Sequence, residues 1–385
     1  MDAEDVLNLL HFHRFLLTET RARLPRFRQA IARTVKPGNT VLDLGTGSGI
    51  LAFLACRAGA RRVYAVDVDA AVELARLLAA DNGFGDRIVF VAGPSRRVEL
   101  PERVDVIVSD TFDTCGLQSG GLRSFIDARE RLLKPGGALV PSSVELFVAP
   151  VELPDVYKRE IDCWRRRRHG VDLSAVRTLA INNRHPVHVP PRSLLAKPRS
   201  VARIDLRLVD GVMLQGTVGL TARRPGTLHG LCAWFVATLA EGVKLGNRPG
   251  ASTTNYRQAF FPLARPVRVK AGQRLEASLT SHDSIHWRWQ VEVEERTRAG
   301  RATVRFDHST FFGSLMPAQL LHGKAPDHTP RLSRQGEAER FLLGLADGAT
   351  PVAELRRRLL EGYPDAFSSE GKASTFVSDV LLRCT

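Results

Sequence analysis

Residues 41–50 read "VLDLGTGSGI". An apolar stretch runs into three glycines at alternate positions, Gly45, Gly47 and Gly49, and then into the apolar "ILAFLACRAGA" (50–60). The pattern predicts a buried strand, a tight turn and a helix. Glycines let the backbone turn sharply and let a ligand approach with no Cβ in the way. The dinucleotide fingerprint needs its third glycine one residue later, where Ile50 stands, and the lysine and Ser/Thr of a P-loop are absent. Asp43, just before the turn, is a carboxylate that suits a cationic ligand group better than a pyrophosphate.

A second carboxylate, Asp67, closes "RVYAVD" (62–67). At the end of a second strand it can accept both ribose hydroxyls of an adenosine. It also fits a helix N-cap for "AAVELARLL" (70–78), and the two roles are compatible. Asp43, the glycine turn and Asp67 together point to S-adenosylmethionine (SAM), with its amino acid end near Asp43 and its ribose on Asp67.

Reading outward, "RIVFVAG" (87–93) and "VDVIVSD" (104–110) are further strands. "LRSFIDARERLLKPGG" (122–137) is a helix with a Pro-Gly-Gly stop, and "ALVPSSVELFVAPV" (138–151) is one more strand. Strands separated by helices imply a parallel, doubly wound sheet over residues 38–150, preceded by helices in 1–37. After Pro150, "YKREIDCWRRRRHG" (157–170) reads as a helix. Short alternating segments between about 200 and 310 predict a mostly antiparallel β domain over 151–312. Residues 311–335 read as a linker, and the last fifty residues as helices, so 313–385 form a linker and a small C-terminal domain.

The net charge of +14 over 385 residues favours an acidic partner. Arginine is scattered through the chain, however, and no zinc-finger, RRM or KH signature accompanies it, so nucleic acid is not the expected partner. The dense run Arg165–Arg168 reads as a solvated helix face, with a binding patch as the alternative. Five separated cysteines without a CxxC pair imply neither a zinc site nor a disulfide framework, and a reducing cytoplasm is expected. No apolar run reaches membrane-spanning length, and "MDAEDVLNLLHFHRF" lacks the basic start of a secretory signal.

"VLDLGTGSGILAFLACRAGARRVYAVDVD", "ERLLKPGGALVPSSVELFVAPVE", "CWRRRRHGVDLSAV", "GLCAWFVATL" and "RPVRVKAGQRLEASL" resemble protein arginine methyltransferases, over roughly residues 10–310. The resemblance implies an α/β Rossmann-like methyltransferase domain followed by a β-barrel domain. It implies SAM contacts from Asp43, Gly45, Thr46, Gly47, Gly49, Ile50, Asp67, Val68, Ser95, Ser109 and Asp110. It also implies an arginine from "TETRARLPRFRQAI" (18–31) on the SAM carboxylate, with Arg23 better spaced and Arg21 the alternative. The family usually dimerises through a helical arm in its barrel. No obvious arm is legible here, where "RHPVHVPPRSLLAKPRS" (184–200) is proline-rich, so oligomeric state stays open with a dimer among the options.

The resemblance also has gaps. The family grips a guanidinium with two glutamates on a hairpin after the fourth strand. In "SDTFDTCGLQSGG" (109–121), Asp110 stands at the first position and Ser119 at the spacing of the second. A planar guanidinium fork wants two carboxylates, so the acceptor site is expected to be rebuilt. The family's "THW" loop becomes "TTNYRQAFF" (253–261), with Asn255 for histidine and Tyr256 for tryptophan. Ser95 and Arg96 replace the usual acid at the adenine edge. Asp110 and Asp113 are the candidates to take or orient a proton, and both also fit turn-forming roles. Asn255, Tyr256 and Gln118 are candidates to hydrogen-bond the acceptor.

The tail "PRLSRQGEAERFLLGLADGATPVAELRRRLLEGYP" (330–364) resembles the PqqD-like peptide-recognition winged helix. Members of that family hold the leader of a precursor peptide as an added strand. The resemblances together imply a SAM-dependent methyltransferase acting on nitrogen of a ribosomally synthesised peptide, for example the terminal amine of a daptide-type peptide. Two other readings stand beside it: an arginine N-methyltransferase with an altered pocket, and a SAM- or peptide-binding module without catalysis. No metal is expected.

Overall fold

The computed structural model describes residues 3–19, 22–68, 71–251, 256–297, 300–315, 317, 325–367 and 369–384. The chain divides into two compact units, Met1–Ser314 and Leu315–Thr385. The first opens with α1 (Ala3–Arg14), a π-helical turn (Phe15–Glu19) and α2 (Arg23–Thr34). On α2, Phe27, Ala30 and Ile31 recur at helical spacing and are fully buried, which is why this stretch folds as a docked amphipathic helix.

Four strands follow, the first three separated by helices: β1 (Thr40–Leu44), α3 (Ile50–Arg57), β2 (Arg62–Asp67), α4 (Ala71–Asp81), β3 (Ile88–Ala92) and, after a 3-10 turn, β4 (Val104–Val108). A short hairpin, β5 (Phe112–Asp113) and β6 (Gly116–Leu117), leads to α5 (Gly121–Leu132) and β7 (Leu133–Val140). The sheet is parallel in the order β3-β2-β1-β4-β7. Strand order reverses direction between β1 and β4, and in such sheets ligands bind outside the carboxyl ends at that point. Every residue of β1 is buried, as a central strand covered on both faces requires.

The remainder of the first unit is mostly antiparallel. Its strands are β8 (Ser143–Val151), β9 (Arg167–Arg168), β10 (Val171–Asp172), β11 (His185–Val187), β12 (Arg199–Asp205), β13 (Met213–Thr221), β14 (Gly226–Ala240), β15 (Val243–Gly246), β16 (Gln258–Val269), β17 (Arg274–His282), β18 (His286–Thr297) and β19 (Gly300–Ser309). One sheet runs β11-β16-β14-β8-β12 with β15 on β14, and the other runs β13-β17-β18-β19. Alternate residues of both sheets, among them Val148, Phe261, Leu279, Trp287 and Trp289, meet in one core.

Three local expectations are corrected. The strand read at 138–151 is two strands in two sheets. β7 ends at Val140, and β8 pairs with β12 and β14, so the antiparallel region begins at Ser143 and not after Pro150. The "LLKPGG" stretch does not extend the helix. It opens β7, whose register against β4 jumps from Leu133 to Ala138, because Pro135 lacks an N–H for a ladder and Gly136 takes a positive φ. The helix read at 157–170 stops early. It is α6 (Pro154–Glu160), a 3-10 turn and the β9–β10 hairpin, with His169 and Gly170 in the left-handed region at the tip. Arg165 therefore flanks a hairpin and not a helix face, and pairs with Asp162 at 3.0 Å. After the hairpin comes α7 (Ser174–Ile181).

The second unit holds α8 (Arg334–Leu345), α9 (Val352–Gly362) and α10 (Glu370–Cys384). Ala338, Leu342, Leu355, Leu359, Val377 and Val380 form its own small core. Thr350 does not cap α9: its hydroxyl donates to Asp347 Oδ2 at 3.1 Å and closes the Asp-Gly turn. Among the described residues this unit has no strand, and so no sheet edge for an added peptide. None of the described helices is long and apolar enough to cross a membrane.

The seam between the two antiparallel sheets is tight at Gly216 on β13, where a Cβ would overlap the carbonyl of Val201 on β12. Gly216→Ala is expected to cost about 1–3 kcal/mol of stability by overpacking, with SAM affinity unchanged. Chemical denaturation alongside calorimetric titration with SAM checks both halves.

Candidate active site at the carboxyl ends of β1 and β4

The glycine turn leaves β1 at Gly45 and enters α3 at Ile50. Gly45, Gly47 and Gly49 all have positive φ, between 53° and 81°. Two of them are further fixed by neighbours: a Cβ at Gly45 would lie 2.5 Å from Thr111, and one at Gly47 would lie 2.9 Å from the His13 ring. Beside the turn opens a cleft of about 810 Å³, lined by Asn8, Leu9, Phe12, His13, Leu16, Arg23, Gly45, Thr46, Gly47, Ser48, Ile50, Leu51, Asp67, Val68, Ala71, Asp110, Thr111, Phe112, Gln118 and Tyr256. A second cavity of about 300 Å³ shares Gly45, Asp67, Val68, Thr111 and Gln118 with it. That cavity extends to Gly93, Pro94, Ser95, Arg96, Ser119 and Ser124. The two cavities adjoin across these shared residues.

Asp43 is fully buried. Its Oδ2 accepts from the Thr46 hydroxyl at 2.7 Å and from the Ala52 amide at 3.0 Å, while Oδ1 is buried without a hydrogen-bond partner. Burial pushes its carboxyl up to about 7, against the two hydrogen bonds that hold it down. Asp67 Oδ2 accepts from the Gly47 amide at 2.7 Å, so this carboxylate at the end of β2 fixes the turn it faces across the cleft. The cradle without Cβ atoms and the Asp67 carboxylate, both lining the cleft, fit the nucleoside and ribose of SAM, while Asp43 braces the turn from beneath.

Asp110 lies just beyond β4, with its side chain only 3% exposed. Tyr256, ahead of β16, donates its hydroxyl to Asp110 Oδ1 at 2.5 Å. Arg23, at the start of α2, forms an ion pair through Nε with Asp110 Oδ2. Burial raises the Asp110 carboxyl above its ordinary value, opposed by Arg23 and then by the Tyr256 hydroxyl. Burial and the adjoining carboxylate push the Tyr256 hydroxyl well up, so it stays a donor. Phe112, Phe235 and Tyr256 pack as an aromatic wall, with ring centroids 4.9 to 6.0 Å apart.

With this geometry the comparisons become decisive. Residues 142–295 match the arginine methyltransferase oligomerization subdomain, and residues 28–144 match the ribosomal protein L11 methyltransferase model. The chain is 36% identical over 339 residues to a "Probable protein arginine N-methyltransferase 6" of Arabidopsis thaliana, covering 75% of this chain and 77% of that protein. The chain belongs to the protein arginine N-methyltransferase family. It is a SAM-dependent methyltransferase. It is also 33% identical over 280 residues to an arginine N(omega)-methyltransferase of Streptomyces achromogenes subsp. streptozoticus, covering 71% of this chain and 76% of that one. In fold it is similar to the Trypanosoma brucei PRMT1 enzyme-prozyme heterotetrameric complex with AdoHcy, with TM-score 0.69, 24% identity, and 78% of this chain and 98% of that chain covered. Protein arginine methyltransferase 10 of Arabidopsis thaliana gives a TM-score of 0.68 at 22% identity, with 80% and 99% covered.

The methyltransferase's site gathers most of the residues expected from sequence. Arg23, Gly45, Thr46, Gly47, Ile50, Asp67, Val68, Asp110 and Tyr256 line the main cleft, and Ser95 lines the second cavity. Asp43 lies beneath the turn and lines neither cavity. Gly49 is the left-handed residue that opens α3. Ser109 lines neither cavity: it is buried and donates to the Leu44 carbonyl at 2.7 Å, tying β4 to β1. Asp113 does not reach the cleft, because Arg184 takes its Oδ2 at 2.5 Å. Asn255 and Arg21 lie outside the described residues. Sequence reasoning missed the lining from α1 and the π-helical turn after it, where Leu9, Phe12, His13 and Leu16 meet the cleft. The helical apolar spacing was visible, but not the surface it would cover. Among the described residues no cluster of His, Cys, Asp or Glu could hold a metal.

Two outcomes follow. Asp67→Ala is expected to weaken SAM binding by about tenfold or more, the worth of a lost charge-assisted hydrogen bond, as read by calorimetry. Asp43 has a raised folded-state pKa, so the stability it contributes is full below its unfolded value and is lost as pH rises through about 7. Asp43→Asn should therefore gain melting temperature over the parent as pH goes from 4 to 8. A gap independent of pH contradicts the assignment.

Proposed function

We propose that this methyltransferase transfers a methyl group to a guanidinium nitrogen of arginine in a protein or peptide. One observation carries the reading. Asp110 lines the cleft, is buried, and already lies against one guanidinium, that of Arg23. A carboxylate has lone pairs for more than one donor, so Asp110 is suited to accept an N–H from a second guanidinium. The family relatives support the same acceptor.

SAM supplies a methyl on a sulfonium: as the new N–C bond forms the C–S bond breaks, leaving S-adenosylhomocysteine. The chain's own residues supply placement. Tyr256 holds Asp110 Oδ1 so that Oδ2 points at the acceptor, and the aromatic wall keeps water from that side. Holding reactants in line contributes a large share of such a rate. The acceptor nitrogen ends with one proton too many. Asp110 is suited to take or orient it, since burial raises its carboxyl toward the pH at which it can do so.

A second reading has one observation in its favour. At the spacing of the family's second glutamate, Ser119 donates to the Ser284 carbonyl at 3.2 Å and offers the acceptor no charge. A single carboxylate also suits an amine, such as the terminal amine of a ribosomally made precursor peptide whose leader would be held by the C-terminal helices. Labelled SAM with a glycine-arginine peptide and with a free-amine precursor peptide separates the two. The arginine reading expects methylated arginine by mass spectrometry, unaffected by deletion of residues 326–385. Methylation confined to the amine peptide and lost on that deletion supports the second reading instead.

A further inference from the structure

The hairpin that follows Asp110 carries a second carboxylate outside the cleft, and its surroundings are built. Asp113 Oδ1 accepts from the Cys115 amide at 2.9 Å and closes the turn between β5 and β6. Its Oδ2 takes Arg184 Nη2 at 2.5 Å, while Arg184 Nη1 donates to the Thr114 hydroxyl at 2.5 Å. Both arms of one guanidinium thus grip adjacent residues of the tip. Arg184 comes from the link between α7 and β11, and its guanidinium carbon sits 5.8 Å from the Trp287 ring centroid. Trp287 is 1% exposed in the core of the antiparallel sheets. The fork therefore runs from an immovable barrel residue to the tip of the hairpin whose root is Asp110.

The root has its own demand. Tyr256 belongs to the barrel side, whereas Asp110 follows β4 of the parallel sheet. Their 2.5 Å hydrogen bond persists only if the hairpin keeps a fixed height over the barrel. In the family pattern the hairpin's second carboxylate faces the substrate. In this chain Ser119 replaces it, and the hairpin's other acid turns to an internal arginine.

We infer that Arg184 and Asp113 form a clamp that positions Asp110 against Tyr256, making both positioning residues for methyl transfer and neither a catalytic one. An arginine fork fixes orientation as well as distance, which a lone point charge does not.

The test uses the full chain with tyrosines labelled at the ring Cζ, whose NMR signal reports the hydrogen bond at the hydroxyl. The chain has four tyrosines, and Tyr256→Phe assigns the relevant signal. In Arg184→Ala and in Asp113→Asn, the Tyr256 signal is expected to move toward that of free tyrosine, while those of Tyr64 and Tyr157 stay. Asp113→Asn keeps the turn oxygen and guards against a folding failure of the alanine variant. On an arginine peptide, kcat should fall about tenfold or more with S-adenosylhomocysteine affinity within about twofold, since a small misplacement costs rate and not cofactor binding. A Tyr256 signal that stays put in a folded variant overturns the clamp. So does a shifted signal with undiminished kcat. If the unaltered protein fails to methylate the arginine peptide, the proposed acceptor falls, and the tyrosine signal alone decides the clamp.

Discussion

Asp110 is a carboxylate shut away from water, and a buried charge persists only among cations and donors. The three groups come from distant parts of the chain: the donors Arg23 from the N-terminal helices and Tyr256 from the barrel, and the accepting Asp110 from the end of β4. Helix α2, the parallel sheet and the antiparallel sheets must therefore dock in one arrangement for the carboxylate to be satisfied. The same arrangement sets Asp110 at the mouth of the SAM cleft. Removing either partner alone would leave an unpaired buried charge, which is costlier than never having made the pair.

Arg23 lines the cleft and neutralises Asp110 from the N-terminal helices. Asp43 is the opposite case: its Oδ2 accepts from Thr46 and Ala52, its Oδ1 lacks a hydrogen-bond partner, and burial favours its neutral form.

The parallel sheet was legible because its signals are local. Three glycines fix the turn, and Asp43 and Asp67 each close an apolar strand. For the same reason the sequence pointed to residues of that sheet that line the cleft, such as Gly45, Gly47 and Asp67. Failures came where a distant partner decides the outcome. Asp113 read as either a proton-handling or a turn-forming residue; the turn bond to Cys115 is local, but nothing near it announces Arg184, seventy-one residues away. Ser109 looked like a cofactor contact, yet its hydroxyl joins two strands. Val140 and Ser143 belong to different sheets although both sit in one apolar run, since periodicity does not say which neighbour a strand will find. In the tail, the three helices of the second unit agree with the sequence pattern. Among the described residues, the strand edge expected for leader binding has no counterpart.

The central claim is that Asp110 serves the acceptor and not the cofactor. Asp110→Asn keeps size and shape while removing the charge. Its S-adenosylhomocysteine affinity by calorimetry and its turnover on a glycine-arginine peptide, measured side by side, test that claim most directly. The account predicts affinity within about threefold of the parent and kcat lowered by about a hundredfold or more, the scale of a lost orienting or proton-accepting group. Undiminished turnover, or a loss of turnover matched by an equal loss of cofactor affinity, would contradict it.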